Sequence, residues 1–203
     1  MPRHFSGTRM AAAAWSGLLL ILVACNGASS VAPAASPTAP GGAVGAGDAA
    51  IAAQLPLDIE ITTYRRGDVI GGDRVRLSSV LARGKPVAVN FFAGLCPPCR
   101  AEMPHLQEVY DTHSDKFILV GVDIGPFTGL GTNADGRELI GELNVTFPTG
   151  STQDRDLVRQ FRVLGMPSTV FIKPDGSVHR KWDGALTREK LEELVLQLVD
   201  ASK

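Results

Sequence analysis

Two cysteines, Cys96 and Cys99, lie three positions apart and are separated only by prolines. They follow an apolar run, Val87–Phe92, that predicts a buried strand, and a small-residue turn then leads into a predicted helix. If Cys96 is the N-cap of that helix, Pro97 and Pro98 fill its first two positions, where backbone N–H groups have no intrahelical partner. This arrangement places both sulfur atoms at the start of one helix and predicts a site of thiol–disulfide exchange.

The start of a helix favours a reactive thiolate at Cys96. The positive end of the helix dipole stabilises a nearby anion by roughly 0.3–2 kcal/mol and so lowers the pKa of a thiol placed there. With both prolines lacking an N–H, the N–H of Cys99 is the main backbone donor that can face the Cys96 sulfur. We therefore predict that Cys96 is the attacking nucleophile and Cys99 the resolving thiol, joined as a redox-active disulfide when oxidised.

Two other interpretations of this cysteine pair are weaker. A closed structural zinc site needs four ligands, but the chain has no second Cys pair, and His105 and His113 follow on the same predicted helix without evident partners. A purely structural disulfide between Cys96 and Cys99 would close a very short loop and would remove little entropy from the unfolded chain. Redox chemistry explains the spacing best.

Around these residues the chain resembles the thioredoxin-like lipoproteins of the TlpA/ResA group and their DsbE-type relatives, the cytochrome-maturation thioredoxins. Their pattern is an apolar strand followed by W-C-x-P-C-R-x-E-x-P. The matching residues are Cys96, Pro98, Cys99, Arg100, Glu102 and Pro104. Two positions depart, since Phe92 and Leu95 stand where tryptophan is usual. The resemblance extends from about Leu57 to the C-terminus.

A carboxylate is a candidate for moving the proton of the resolving thiol. Thioredoxins proper carry a buried aspartate where this chain has Asn90, which cannot take a proton. Glu102 follows Cys99 by three positions on the helix and matches the family's glutamate. The residues leave open whether Glu102 assists the thiol or is a solvated helix charge, whereas Arg100 is predicted to be a surface charge.

A second segment that the resemblance brings to the site contains Pro167. Most X–Pro bonds are trans, but the family has a cis-proline facing its cysteines in a G-x-P-[ST]-T stretch, which here is Gly165–Thr169. We therefore predict a cis bond between Met166 and Pro167, with Pro167 packed against Cys96. The backbone of Met166 would then be free to pair with an extended substrate segment.

The N-terminal quarter of the chain is predicted to lie outside the folded domain. Residues 1–24 have a basic start and a short apolar run, as in a secretory signal peptide, and the segment ends in Leu22–Cys25, which looks like a bacterial lipobox. Cys25 is then the lipidated N-terminus, although an uncleaved anchor or ordinary cleavage with a spare thiol remains open. The Ala, Gly and Pro content of residues 25–53 predicts a flexible tether. Residues 54–203 then form the domain that the resemblance identifies as thioredoxin-like.

The remaining patterns predict an α/β sandwich with a central mixed sheet after an N-terminal β-hairpin. The resemblance implies that this is a thioredoxin-like fold with a central strand–helix insertion. Further predicted elements, in chain order, are an edge strand at Asp58–Tyr64, a hairpin within Asp68–Leu77, a strand at Phe117–Ile124, a glycine-rich loop at Gly125–Gly136, a helix at Arg137–Leu143, a strand at Val145–Thr149, a helix at Gln153–Phe161 and a final helix at Thr187–Val199. Asp123 either faces the redox site or caps the loop that follows it.

Composition excludes some functions. With 20 basic and 21 acidic side chains, the chain has no electrostatic footprint for nucleic acid. The glycine-rich loop matches neither a dinucleotide fingerprint nor a phosphate-binding loop, and no cofactor is predicted. No T-x-x-C stretch of a thiol peroxidase is present.

The resemblance implies a membrane-anchored, extracytoplasmic thiol–disulfide oxidoreductase of a bacterial membrane. It implies a reductase of protein disulfides, with apocytochrome c or copper-site proteins as substrates and a membrane thiol-reductant carrier as electron source. The alternative is a copper-binding or metal-delivery module, since Cu(I) prefers soft ligands. Its candidate ligands are Cys96, Cys99, Met103 and Met166.

Overall fold

The structure, a computed structural model, describes residues 59–203, so the predicted signal, lipidation site and tether lie outside the described residues. The strands are β1 (Glu60–Arg65), β2 (Arg74–Arg76), β3 (Val87–Phe92), β4 (Ile118–Asp123), β5 (Thr149–Ser151), β6 (Ser168–Ile172) and β7 (Val178–Asp183). The helices are α1 (Gly67–Ile70), α2 (Leu77–Leu81), α3 (Pro97–His113), α4 (Gly125–Thr128), α5 (Asn133–Glu142), α6 (Leu157–Gln160) and α7 (Arg188–Asp200).

The seven strands form one mixed sheet in the order β2-β1-β5-β4-β3-β6-β7. Strand β3 lies inside the sheet, parallel to β4 on one side and antiparallel to β6 on the other. Every residue of β3 and β4 is buried, which explains why the sequences of both strands are mainly apolar and do not alternate with polar residues. The sheet confirms the predicted α/β class.

Each face of the sheet is covered by its own apolar core, since alternate residues of a strand point to opposite faces. Ala88 and Phe92 of β3 pack with helices α3, α5 and α7, in the cluster that also contains both cysteines. Val89 and Phe91 pack on the other face with α2 and α6. The helix that begins at the cysteines is therefore held between β3 and α7. None of the helices within residues 59–203 has both the length and the apolar character needed to cross a membrane.

The N-terminal hairpin is present, but its predicted position was wrong. Strands β1 and β2 form the antiparallel pair, and helix α1 occupies Gly67–Ile70 between them. Strand β1 is also not an edge strand, because it pairs with β5 on its second side. The alternation of apolar and polar residues in β1 reflects one buried face and does not report how many neighbours the strand has.

Three further boundaries differ from the predictions for local reasons. Helix α5 begins inside the predicted glycine-rich loop because Thr132 and Asp135 form a capping box, with the Asp135 N–H bonded to Thr132 Oγ1 at 3.3 Å. Strand β5 begins later than predicted because the Val145 N–H instead bonds to the Ile140 carbonyl at 3.1 Å and closes the end of α5.

The predicted helix at Gln153–Phe161 is reduced to the four residues of α6. Thr152 Oγ1 accepts from the Asp154 N–H at 3.1 Å, and Asp154 Oδ1 accepts from the Asp156 N–H at 2.9 Å. These local side-chain bonds hold the segment in turns and delay the helix.

Candidate active site

The two cysteines form a disulfide at the N-terminus of α3, with an S–S distance of 2.20 Å. Cys96 is the N-cap in extended conformation, Pro97 and Pro98 follow in the first turn, and the Cys99 N–H donates to Cys96 Sγ at 3.3 Å. The local geometry predicted from the spacing is therefore confirmed. When the disulfide is reduced, the same N–H and the helix dipole stabilise a thiolate at Cys96.

Only one of the two cysteines lines a groove on the surface. Cys96 lines a groove of about 430 Å³, which we call the cysteine groove; its other lining residues are Pro97, Pro98, Thr128, Leu130, Val163, Leu164, Gly165 and Met166. Both cysteines lie in the same core cluster, Cys96 at 2% and Cys99 at 1% exposure, but Cys99 does not line this groove. The groove therefore gives an incoming disulfide a route to Cys96, and the roles of nucleophile and resolving thiol stay predictions.

Glu102 is not a solvated helix charge. Its side chain is 1% exposed, Oε1 accepts from Asn90 Nδ2 at 2.8 Å, and Oε2 accepts from the Leu186 N–H at 3.0 Å. Burial raises the pKa of Glu102 to about 7, although both hydrogen bonds favour the ionised form. A carboxyl group with this pKa, one helical turn after Cys99, can take up or release a proton near neutral pH.

Asn90 connects Glu102 to the sheet. Its Nδ2 also donates to Thr169 Oγ1 at 3.0 Å, from the residue that faces Asn90 in the register of β3 and β6. Asn90 Oδ1 is buried and has no partner among the described residues. Asn90 of β3 and the loop before α7 therefore hold the carboxyl group by direct hydrogen bonds, and Thr169 of β6 holds Asn90. Sequence reasoning missed Thr169 and Leu186, whose contributions depend on tertiary pairing.

The Met166–Pro167 peptide bond is cis, as predicted. Met166 lines the cysteine groove together with Cys96, and within residues 59–203 neither backbone group of Met166 takes part in a backbone–backbone hydrogen bond. This backbone is therefore available to an extended segment lying in the groove. Direct packing of Pro167 against Cys96 stays a prediction.

Asp123 has the predicted loop-capping role. It is 1% exposed, and its Oδ1 accepts from the Gly125 N–H at 2.9 Å while its Oδ2 accepts from the Tyr64 hydroxyl at 3.0 Å. Burial raises the pKa of Asp123. The loop that Asp123 caps also supports the cysteine turn, since the Leu95 N–H bonds to the Leu130 carbonyl at 2.8 Å.

The exposed residues around the cysteine pair include an apolar side chain and an ion pair. Leu95, which stands where the family has tryptophan, is 62% exposed beside Cys96. Arg100 pairs with Glu142 at 2.6 Å, and both side chains are about half exposed, so the prediction of a surface charge is confirmed. The surface at the nucleophile is thus mainly apolar.

The histidines of α3 have structural partners. His105 Nδ1 lies 3.0 Å from the Leu186 carbonyl, and His113 Nε2 lies 2.8 Å from Glu192 Oε1. Within the described part of the chain, no group of three or more His, Cys, Asp or Glu side chains can hold a metal ion. Of the candidate copper ligands, Met103 is buried in the core at 1% exposure. Cys25, the predicted lipidation site, lies outside the described residues.

The mixed sheet, the dithiol at the start of α3 and the cis-proline before β6 define a thioredoxin-like protein. The AhpC/TSA family matches residues 46–181, which is more than half of the chain, and the chain belongs to this family.

Among curated proteins, the chain is similar to "Thiol-disulfide oxidoreductase ResA" of Oceanobacillus iheyensis, with 36% identity over 118 residues. That match covers 58% of this chain and 58% of the relative, so it spans less than two thirds of the relative's length.

Two solved structures share the fold. The structure of DsbF from MTB, described in mixed oxidised and reduced forms, has a TM-score of 0.54 and 25% identity and covers 70% of this chain and 96% of that one. StoA from Bacillus subtilis has a TM-score of 0.56 and 23% identity and covers 69% of this chain and 97% of that one.

Proposed function

We propose that the protein catalyses thiol–disulfide exchange with other proteins and acts as a reductase of their disulfides. The observation that carries this proposal is the asymmetry of the cysteine pair: Cys96 lines a groove and accepts a hydrogen bond from the Cys99 N–H, while Cys99, in the same core cluster, does not line the groove. Similarity to a relative named thiol-disulfide oxidoreductase supports the same reaction.

In the proposed reaction, the Cys96 thiolate attacks one sulfur of a substrate disulfide. The substrate S–S bond breaks, one substrate cysteine leaves as a thiolate, and a mixed disulfide joins the substrate to Cys96. Cys99 then loses its proton and attacks the Cys96 sulfur, which releases the second substrate cysteine. Two electrons pass to the substrate, and the protein retains the Cys96–Cys99 disulfide until an external dithiol reduces it.

Glu102 is the proposed acceptor for the proton of Cys99. Residues three apart on a helix share one face, and a general base works best when its pKa lies near the working pH. The pKa of about 7 meets that condition, and the hydrogen bonds from Asn90 and Leu186 hold the carboxyl group in place. Asn90 itself cannot exchange a proton.

We also propose that the protein is located on the outer side of a bacterial membrane. The support is in the sequence, where a signal-like segment ends at Cys25 and an Ala/Gly/Pro-rich tether follows. A membrane thiol-reductant carrier would then re-reduce the dithiol, and apocytochrome c or copper-site proteins would be the substrates. Metabolic labelling with palmitate in a bacterial host should mark the wild-type protein and not Cys25→Ala. Label on both proteins, or on neither, would refute the proposal that Cys25 carries a lipid anchor.

Single-cysteine variants test the exchange reaction. Cys96→Ser should abolish insulin reduction, because no nucleophile then faces the groove. Cys99→Ser should accumulate a mixed disulfide with substrate that a strong reductant releases, because the first attack proceeds and the second does not. Equal, unimpaired insulin reduction by both variants would refute the mechanism.

The direction of electron flow is tested by the reduction potential of the Cys96–Cys99 pair. A potential near that of thioredoxin, about −270 mV, supports the reductase role, whereas a value near that of DsbA, about −120 mV, would make the protein an oxidant.

A further inference from the structure

The cysteine groove continues into a second groove of about 470 Å³. Val163 and Leu164 line both grooves, and Leu164 is 86% exposed. The second one, which we call the arginine groove, is lined otherwise by Phe127, Arg155, Val158, Arg159 and Arg162. An apolar path therefore leads from Cys96 to a cluster of three arginines.

This cluster is not fully neutralised by the protein itself. Arg159 lies 3.8 Å from Asp156 in a pair whose side chains are both more than 70% exposed, so the pairing is weak. Arg155 lies over the Phe127 ring at 5.7 Å, and neither Arg155 nor Arg162 forms an ion pair within residues 59–203. Asp154, the other acidic side chain of this segment, accepts the Asp156 N–H and does not line the groove.

The course of the chain connects the two grooves. Met166, whose backbone is available beside Cys96, is separated from Arg162 by only three residues. Four residues of extended chain span at most roughly 14 Å. A segment that pairs with Met166 and continues along the groove therefore reaches the arginines within about four residues.

We propose that the grooves together recognise the chain segment around the reactive cystine of a protein substrate, with an apolar side chain against Leu164 and an acidic side chain at the arginines. The acidic residue lies within about four residues of the attacked half-cystine. This inference rests on the proposed exchange function and adds the chemistry of its substrate. Charge complementarity selects an acidic segment over a basic one.

Short peptides with one cysteine in mixed disulfide with thionitrobenzoate provide the test. The reduced protein attacks the peptide sulfur and releases coloured thionitrobenzoate; Cys99 then displaces the peptide thiol, and the protein is left as the disulfide. Three peptides are compared, each with leucine beside the cysteine and with Glu, Gln or Lys pairs three and four residues away.

The Glu peptide should react about tenfold or more faster than the Lys peptide at low ionic strength, because charge attraction raises association rates by 10- to 1000-fold. The ratio should fall towards one as salt is added. The charge-reversed variant Arg155→Glu/Arg159→Glu/Arg162→Glu should prefer the Lys peptide. The control Arg74→Glu/Lys116→Glu/Lys203→Glu makes the same change in net charge at exposed positions that line neither groove, and it should keep the wild-type order.

The apolar contact is tested separately with Leu164→Ser, which should slow the leucine peptides relative to peptides with glycine beside the cysteine. Equal rates for the three charged peptides, or an unchanged order in the charge-reversed variant, would overturn the inference and leave the exchange function standing. If the wild-type protein releases thionitrobenzoate no faster than Cys96→Ser, the exchange function itself has failed.

Discussion

Replacement of Glu102 by glutamine should change how the stability of the protein depends on pH. The buried carboxyl group has a pKa of about 7 in the folded protein and 4.5 as the ordinary value. Between these two pH values the folded state holds a proton that the unfolded state has released. By linkage, this group therefore makes the free energy of unfolding fall as pH rises from about 4.5 to about 7, with no further change above that range.

The size of the effect follows from the same two values. A rise in pKa from 4.5 to about 7 corresponds to about 3 kcal/mol, at about 1.4 kcal/mol for each pH unit. Because the side chain is 1% exposed, solvent screening removes little of this. Glutamine cannot ionise, so Glu102→Gln lacks the decline. It also loses one acceptor facing Asn90 or Leu186, which shifts its stability by a similar amount at every pH.

The measurement is urea unfolding of the oxidised wild-type and Glu102→Gln proteins from pH 4.5 to 8. The oxidised form is used because Cys96 and Cys99 do not titrate while they are joined in the disulfide. The difference between the two free energies of unfolding should change by about 3 kcal/mol in favour of the variant as pH rises. Glu108→Gln, an exposed position on the same helix, is the control and should stay parallel to the wild type. Parallel curves for Glu102→Gln would refute the proposed environment of this carboxyl group.

Two further predictions concern the packing behind the site. Gly141→Ala should raise the free energy of unfolding by about 0.5–1 kcal/mol, since its Cβ meets open space in α5 and alanine favours a helix. Gly136→Ala in the same helix should lower the free energy of unfolding by about 1–3 kcal/mol, because its Cβ would lie 2.1 Å from Asp123 Oδ2. If urea unfolding shows that both glycine variants change the free energy of unfolding in the same direction, this prediction is wrong. Tyr64→Phe should lower the free energy of unfolding by about 1–3 kcal/mol because Oδ2 of the buried Asp123 carboxyl group loses its donor, while Oδ1 keeps the Gly125 N–H. A loss below about 0.5 kcal/mol would show that this hydrogen bond contributes little to stability.

The elements next to the cysteines could be predicted because their determinants are local. The apolar run of β3, the N-capping Cys96 and the two prolines each specify a conformation within a few residues. The cis bond before Pro167 was predicted from the family resemblance and not from the chemistry of the sequence.

Boundaries were predicted less well where side chains compete with the backbone. Helix α5 begins earlier than predicted because Thr132 at the N-cap and Asp135 at the third helical position form a capping box. Both residues lie in a stretch whose composition indicates a loop. Thr152 and Asp154 delay α6 by accepting backbone N–H groups. In both segments one or two side-chain hydrogen bonds set where the helix begins: they start α5 earlier and α6 later than the local pattern predicts.

The cysteine pair and its place at the start of a helix follow from the amino-acid sequence alone, because both depend on residues within two helical turns of one another. The burial of Glu102, in contrast, arises from the packing of distant parts of the chain. Its environment comes from Asn90 in β3 and Leu186 before α7, residues far apart in the chain that meet when the sheet and helices pack. The pKa of a side chain depends on how much water and how many donors surround it in the folded state, and no local pattern encodes that.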